Sequence, residues 1–394
     1  MTQLQTLSSI QRLARNACYT EGWEFYQQLT ATTPLDDQWA GVCLWNLGLL
    51  EESRTYFSRA LRRNAAGAAI GLAAIHRTLG ELDECENYLN MAFDSNLQAD
   101  DWVRALRERG NLHLARNQNK LALSSYNDAR LEADLSPESK NLIPSIDQVL
   151  GLINHLLGRD RVAKKILNQA LQNANSDQKI HIHLTNALVC AFDGDYKASA
   201  QSLEDHSLQN TKNKFLEALF YYIKGVLNIT LGHFSEAEKL FSKGLQISEL
   251  NQYSENISLN QLGLCKTLIG LNKINEARAA LKRAEHLEVS PEYQAARDLT
   301  AGLYWTKVGD LTKAYEHLSN ALEYYKTHEC ARELGWTHLH FAVWHFKNGD
   351  NTAAATALEQ VADTAGALDN TAFLIPELRL ISDLEGLEIG RAHV

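Results

Sequence analysis

GHFSEAEKLFSKGL (Gly232–Leu245) reads as a glycine followed by an amphipathic helix, and GDLTKAYEHLSNAL (Gly309–Leu322) repeats the same residue types in the same slots. The fourteen-residue pattern occurs nine times, starting at Gly48, Gly80, Asn117, Gly158, Gly194, Gly232, Asn272, Gly309 and Gly349, with steps of 32 to 41 residues. Such a period marks an array of small supersecondary units, none of which can bury its apolar stripe alone. The first slot is Gly or Asn, the two residues that most readily take the left-handed conformation closing a helix. Each first slot is therefore predicted to end one helix and, after a tight turn, to start the next.

The sixth slot is always small (Ser53, Cys85, Ala122, Ala163, Ser199, Ala237, Ala277, Ala314, Ala354) and the tenth always large and apolar (Phe57, Leu89, Tyr126, Leu167, Leu203, Phe241, Leu281, Leu318, Leu358). Together with the thirteenth slot, Ala in six repeats, they lie four and three residues apart and form one stripe of a helix. In six repeats another small residue, Ala73, Gly110, Gly151, Ala187, Gly225 or Gly302, sits seven places before the turn, where two helices must meet. The unit is helix, turn, helix. Pro34, Pro137, Pro144 and Pro291 fall between units, where a helix begins or breaks.

The small–large–small slots resemble the second helix of the tetratricopeptide repeat. The resemblance covers residues 34 to 362, although most repeat-terminal prolines are missing and the units average about four residues over the usual 34. It implies an all-α fold, a right-handed superhelical solenoid of antiparallel helix pairs. The domain reading is a degenerate helical pair over 1–33, an array of about nine repeats over 34–366, and a terminal helix over 367–387, with the start of a truncated unit as its alternative reading. The last seven residues, EIGRAHV (388–394), are unrelated to the repeat. Back-translated, they look like the start of a sequencing-library adapter, so they are read as an artefact, with the natural chain continuing.

Composition narrows the function. Net charge is −10 over 394 residues, which argues against a general nucleic-acid or anionic-membrane binder. No run approaches the eighteen apolar residues of a membrane span, and the N-terminus lacks a secretory apolar core. Six scattered cysteines without a Cys-x-x-Cys pair fit free thiols in a reducing compartment, and the expected location is cytoplasmic. No phosphate loop, nucleophile elbow or zinc helix is present, and neither an enzyme nor a cofactor is expected. In WTHLHFAVWHF (336–346), Trp336, His340 and Trp344 form a stripe at four-residue spacing, read as core and inner wall rather than a metal site.

What remains is surface. In the resembling family the first helix of each pair lines the concave groove, which here places Arg104, Arg107, Asn111 and Leu114 on it, with Arg77 and His155 from the neighbouring units. Arg107 with Asn111 is similar to half of the family's carboxylate clamp; Val149 stands where the other half needs Asn. Arg77, Arg104, Arg107, Asn111 and His155 are the candidate partner-binding residues, set against a plain solvated wall. Further on, Val226, Ile229, Leu262, Leu299, Leu303 and Val343 make the groove apolar, suiting an amphipathic helix or an extended peptide. The expected function is a non-enzymatic scaffold that binds a protein or peptide. Its rival is the sensory part of a larger regulator whose output domain lies elsewhere.

Overall fold

A computed structural model describes residues 9–15, 18–204, 213–287 and 290–381, and every regular element among them is helical. The chain divides into two compact units, residues 1–146 and 147–394. The division falls inside the helix Ile143–Leu156.

In the first unit the pairs are α1 (Ser9–Arg15) with α2 (Tyr19–Gln27), α3 (Pro34–Asn46) with α4 (Leu50–Arg62), α5 (Ala68–Thr78) with α6 (Leu82–Phe93), and α7 (Ala99–Ala115) with α8 (Asn119–Leu135). After α9 (Ile143–Leu156), the second unit continues with α10 (Asp160–Asn173), α11 (Ser176–Phe192), α12 (Tyr196–Leu203), α13 (Lys214–Thr230), α14 (Phe234–Leu250), α15 (Ser254–Gly270) and α16 (Ile274–Glu285). It ends with α17 (Pro291–Val308), α18 (Leu311–Thr327), α19 (Ala331–Lys347), α20 (Asn351–Leu368) and the short α21 (Ile375–Leu380). Odd-numbered helices up to α19 are the first members of pairs and even-numbered ones the second. No helix among the described residues is long and apolar enough to cross a membrane.

All nine first slots have positive φ, from 55° at Asn117 to 93° at Gly309. The left-handed residue lets the next N–H turn back: His233 donates to the Asn228 carbonyl at 2.8 Å and Lys273 to that of Leu268 at 2.9 Å. Where the slot reads Gly-Asp, the aspartate starts the following helix. Asp195, Asp310 and Asp350 accept from the N–H groups of Ala198, Lys313 and Ala353 at 3.1, 3.2 and 2.9 Å. Turns within pairs therefore stay at two or three residues, whereas joins between pairs vary from residues 174–175 to residues 136–142. At the joins, Thr33 and Asn175 begin α3 and α11 with reciprocal caps, and Pro34 and Pro291 occupy a first-turn position of their helices.

The sixth-slot residues are all buried and the tenth-slot residues act as wedges. Phe241, fully buried, lies against α13 and α15 at once: a Cβ on Gly225 would come within 2.7 Å of its ring, and one on Gly263 would come closer still. Phe57 packs in the same way between Gly41 and Gly71. The small residue seven places before the turn is thus the seat of its own pair's wedge, as Gly302 is for Leu318 and Gly151 for Leu167. The wedge also touches the first helix of the next pair, and this locks pair to pair.

Candidate functional site

In the first unit the predicted arginines come together on α5 and α7, but mostly engaged with acids of the same helices. Arg77 Nε donates to Glu108 at 2.5 Å, and Asn111 Nδ2 donates to the same carboxylate at 2.9 Å. Asn111 Oδ1 accepts from the Tyr126 hydroxyl, so both ends of its amide are used and the clamp geometry expected of it is not formed. Arg104 pairs with Asp100 at 3.1 Å and lies over the Trp39 ring, 4.5 Å from the centroid. Arg107 keeps a buried Nε with no hydrogen-bond partner among the described residues. The wider basic cluster is neutralised similarly: Arg59 and Arg63 meet the fully buried Asp37, and Arg116 meets Asp83 and Glu86.

His155 does not join this set. It belongs to the second unit and is buried, its Nδ1 2.6 Å from Asp160. Its groove position from simple counting fails because the second unit curls until Arg332 on α19 reaches back to the turn between α9 and α10. There Arg332 donates to Asp160 Oδ2 at 3.0 Å and to the His155 carbonyl at 3.1 Å. Burial lowers the His155 pKa, and the Arg332 charge adds to this, bringing it to about 4; Asp160 opposes both. The imidazole is therefore neutral near pH 7 and its N–H serves Asp160 as a hydrogen bond, while Arg332 supplies the balancing charge.

This sets a pH dependence. Between pH 6.5 and 4 the unfolded chain takes a proton on this histidine that the folded chain refuses, so stability falls as pH falls through that window. The expected loss is roughly 3 kcal/mol. Urea unfolding across the window should show a slope that His155→Gln reduces, with His181 and His338, whose pKa values desolvation also lowers, supplying part of the remainder; a slope unchanged by the substitution refutes the assignment.

The row of first helices in the second unit carries the richest site. Beyond α20 the chain passes through left-handed Asp369 and a 3-10 turn, Ala372–Leu374, into α21. The turn packs on α11 and α19, and α21 packs on α13 and α15, so the segment lies on the first helices. Leu380 and Ile381 are buried in one core cluster with Ile229, Leu303 and Val343, and Leu374, Leu378 and Val226 pack against it. Four residues of the apolar strip expected to receive a helix or an extended peptide, Val226, Ile229, Leu303 and Val343, are thus covered by the chain's own tail, while Leu299 lies in a separate cluster.

At the centre Glu377, 2% exposed, meets Lys266 Nζ at 2.5 Å and His340 Nε2 at 2.8 Å. Burial would raise its pKa, but the Lys266 charge and the His340 hydrogen bond outweigh that and hold it at about 2. Trp336 Nε1–H donates to the Phe373 carbonyl at 2.8 Å, and Asn370 Nδ2 donates to the Phe192 carbonyl at 3.0 Å. A small cleft of about 80 Å³ continues beside α21, lined by Leu303, Thr306, Lys307, His340, Lys347 and Leu380 among others.

Sequence reasoning singled out Trp336 and His340 only as wall, and it missed Lys266 and Glu377. The four-residue stripe of Trp336 and His340 was the available signal. Glu377 lies in the irregular tail, where no period points at it. The fully buried thiols of Cys85 and Cys265 are pushed up to about 12 by burial, which removes thiolate reactivity. The stretch 388–394 and the end of the terminal-helix reading (382–387) lie outside the described residues.

No family model and no curated protein gives a significant match to the chain. Among solved structures the fold is similar to that of a Rap protein complexed with Competence and Sporulation Factor, at 13% identity and TM-score 0.67, covering 85% of this chain and 98% of that one. The apo form of RapI matches at 11% identity and TM-score 0.55, with 85% and 98% covered. The apo form of the quorum sensor NprR from B. thuringiensis matches at 15% identity and TM-score 0.57, with 90% and 96% covered. Identities of this size carry the fold alone: an all-α, tetratricopeptide-like helical repeat.

Proposed function

We propose that this protein is a non-catalytic, cytoplasmic scaffold of tetratricopeptide type, with the row of first helices in its second unit as a peptide-binding face. The observation that carries this reading is that the face already holds a stretch of polypeptide. It does so with a buried carboxylate seat, an apolar strip and a Trp336 side-chain bond to main chain, the mixture expected of peptide recognition. The similar Rap structure is a complex with Competence and Sporulation Factor, and a bound partner agrees with this use of the fold. The inert thiols of Cys85 and Cys265 agree with a binding role. The first-unit set of Arg77, Arg104, Arg107 and Asn111 stands second, as an anion-facing contact centred on the unpartnered Arg107 Nε.

Peptides selected from a random displayed library on the immobilised full chain test the reading. A benzophenone built into a selected peptide should attach to α13, α15, α17 or α19. Attachment confined to the second helices, or failure to select any peptide, would overturn it.

A further inference from the structure

Resting on that reading, we infer that the segment Asp369–Ile381 is an exchangeable self-ligand, and that the true ligand is an acidic peptide whose carboxylate takes the place of Glu377 between Lys266 and His340. Three features of the seat separate it from ordinary fold closure.

The first is the segment itself. Its helix has six residues, too short to hold its shape without the surface beneath it. It enters through a non-glycine residue in the left-handed region, Asp369 at φ 48°. It lies on the first helices instead of extending the paired stack, with Phe373 against Gly335 and Ala372 against Gly194, while the wedges over Gly225, Gly263 and Gly302 keep their own seats.

The second is charge. Glu377 is the acid of α21, and it is the residue the face holds most tightly. Lys266 and His340 belong to the wall and stay behind when the segment leaves. Lys266, 19% exposed beneath the segment, and His340 then face an open seat, and a charge-assisted hydrogen bond to a carboxylate makes that seat favour an acidic replacement. Lys307 and Lys347 line the adjoining cleft and add to the preference for acidic sequence.

The third is the kind of contact made around the carboxylate. Trp336 reads a main-chain carbonyl, which any peptide presents. Specificity then comes from spacing: an aromatic residue at the Phe373 place, Glu four residues later, and aliphatic residues three and four beyond that, as Leu380 and Ile381 stand now. A ligand with this pattern and a better-formed helix displaces the segment.

The test uses the full chain and a fluorescein-labelled synthetic peptide of sequence DNTAFLIPELRLI, residues 369–381. Anisotropy should show weak binding to the wild-type chain, whose own segment competes, and at least tenfold tighter binding to the Glu377→Gln chain. The same peptide with Gln in place of its Glu should lose that gain. Circular dichroism and the thermal midpoint check that the variant folds. A folded variant that binds no better than wild type, or that takes both peptides equally, overturns the inference. A variant that fails to fold also overturns it, because the segment is then integral to the stack. If DNTAFLIPELRLI never binds while library-selected peptides still attach to the first helices, the self-ligand falls and the scaffold reading stands; if neither binds, both fall.

Discussion

Replacing Phe241 by alanine is expected to destabilise the second unit by about 3–5 kcal/mol, the upper range for an emptied core position. The size follows from its double seat. The ring fills the space over Gly225 and Gly263 together, so truncation opens a hole between two pairs that backbone contacts already hold apart. Neither glycine has a side chain with which to refill it. The half-buried Leu358, the corresponding wedge of the last repeat, should cost clearly less on the same change. Since the chain has two units, the measurement is hydrogen exchange of α13 and α15 rather than a single melting curve. Equal protection losses for the two variants would defeat the wedge argument.

The second large effect is expected at Arg332. Its side chain is 3% exposed and bonded to Asp160, itself 3% exposed, and Arg332→Ala leaves that carboxylate buried without its cation. Breaking such a pair from one side costs about 3–5 kcal/mol. Arg332→Met with Asp160→Asn should recover most of the loss, because no charge is then stranded. The single variant should also shift the His155 window to higher pH, since the Arg332 charge is part of what holds that imidazole down. Urea unfolding of the single and double variants between pH 4 and 8 checks both points. A double variant as weak as the single would mean that packing, not charge, is lost.

The repeat was legible because each slot obeys local physics. Left-handed first slots, buried sixth slots and wedges at the tenth follow from residue size and backbone freedom, and these are written once per period. Site residues were harder. Arg77, Arg104 and Asn111 lie on α5 and α7, and their acidic neighbours Asp100 and Glu108 absorb them, a consequence of side-chain reach that periodicity does not encode. His155 was misassigned because the approach of α19 joins residues 177 apart. Lys266, His340 and Glu377 form a site only through the return of the tail onto the first helices, and only the Trp336/His340 stripe left a trace of it in the sequence.

The constant elbow inside each pair has a consequence for how such a chain can change. Because the elbow is closed by one left-handed residue and its returning N–H, an inserted residue there would rotate the second helix off its partner. Three joins, at Asn64, Gln252 and Glu329, are closed in the same way, whereas the join over residues 94–98 has no left-handed residue, so growth, shrinkage and engineered insertion belong there. Reporter grafts are accordingly best placed at the exposed Asn96 or Gln98 rather than at Gly232 or Asn272.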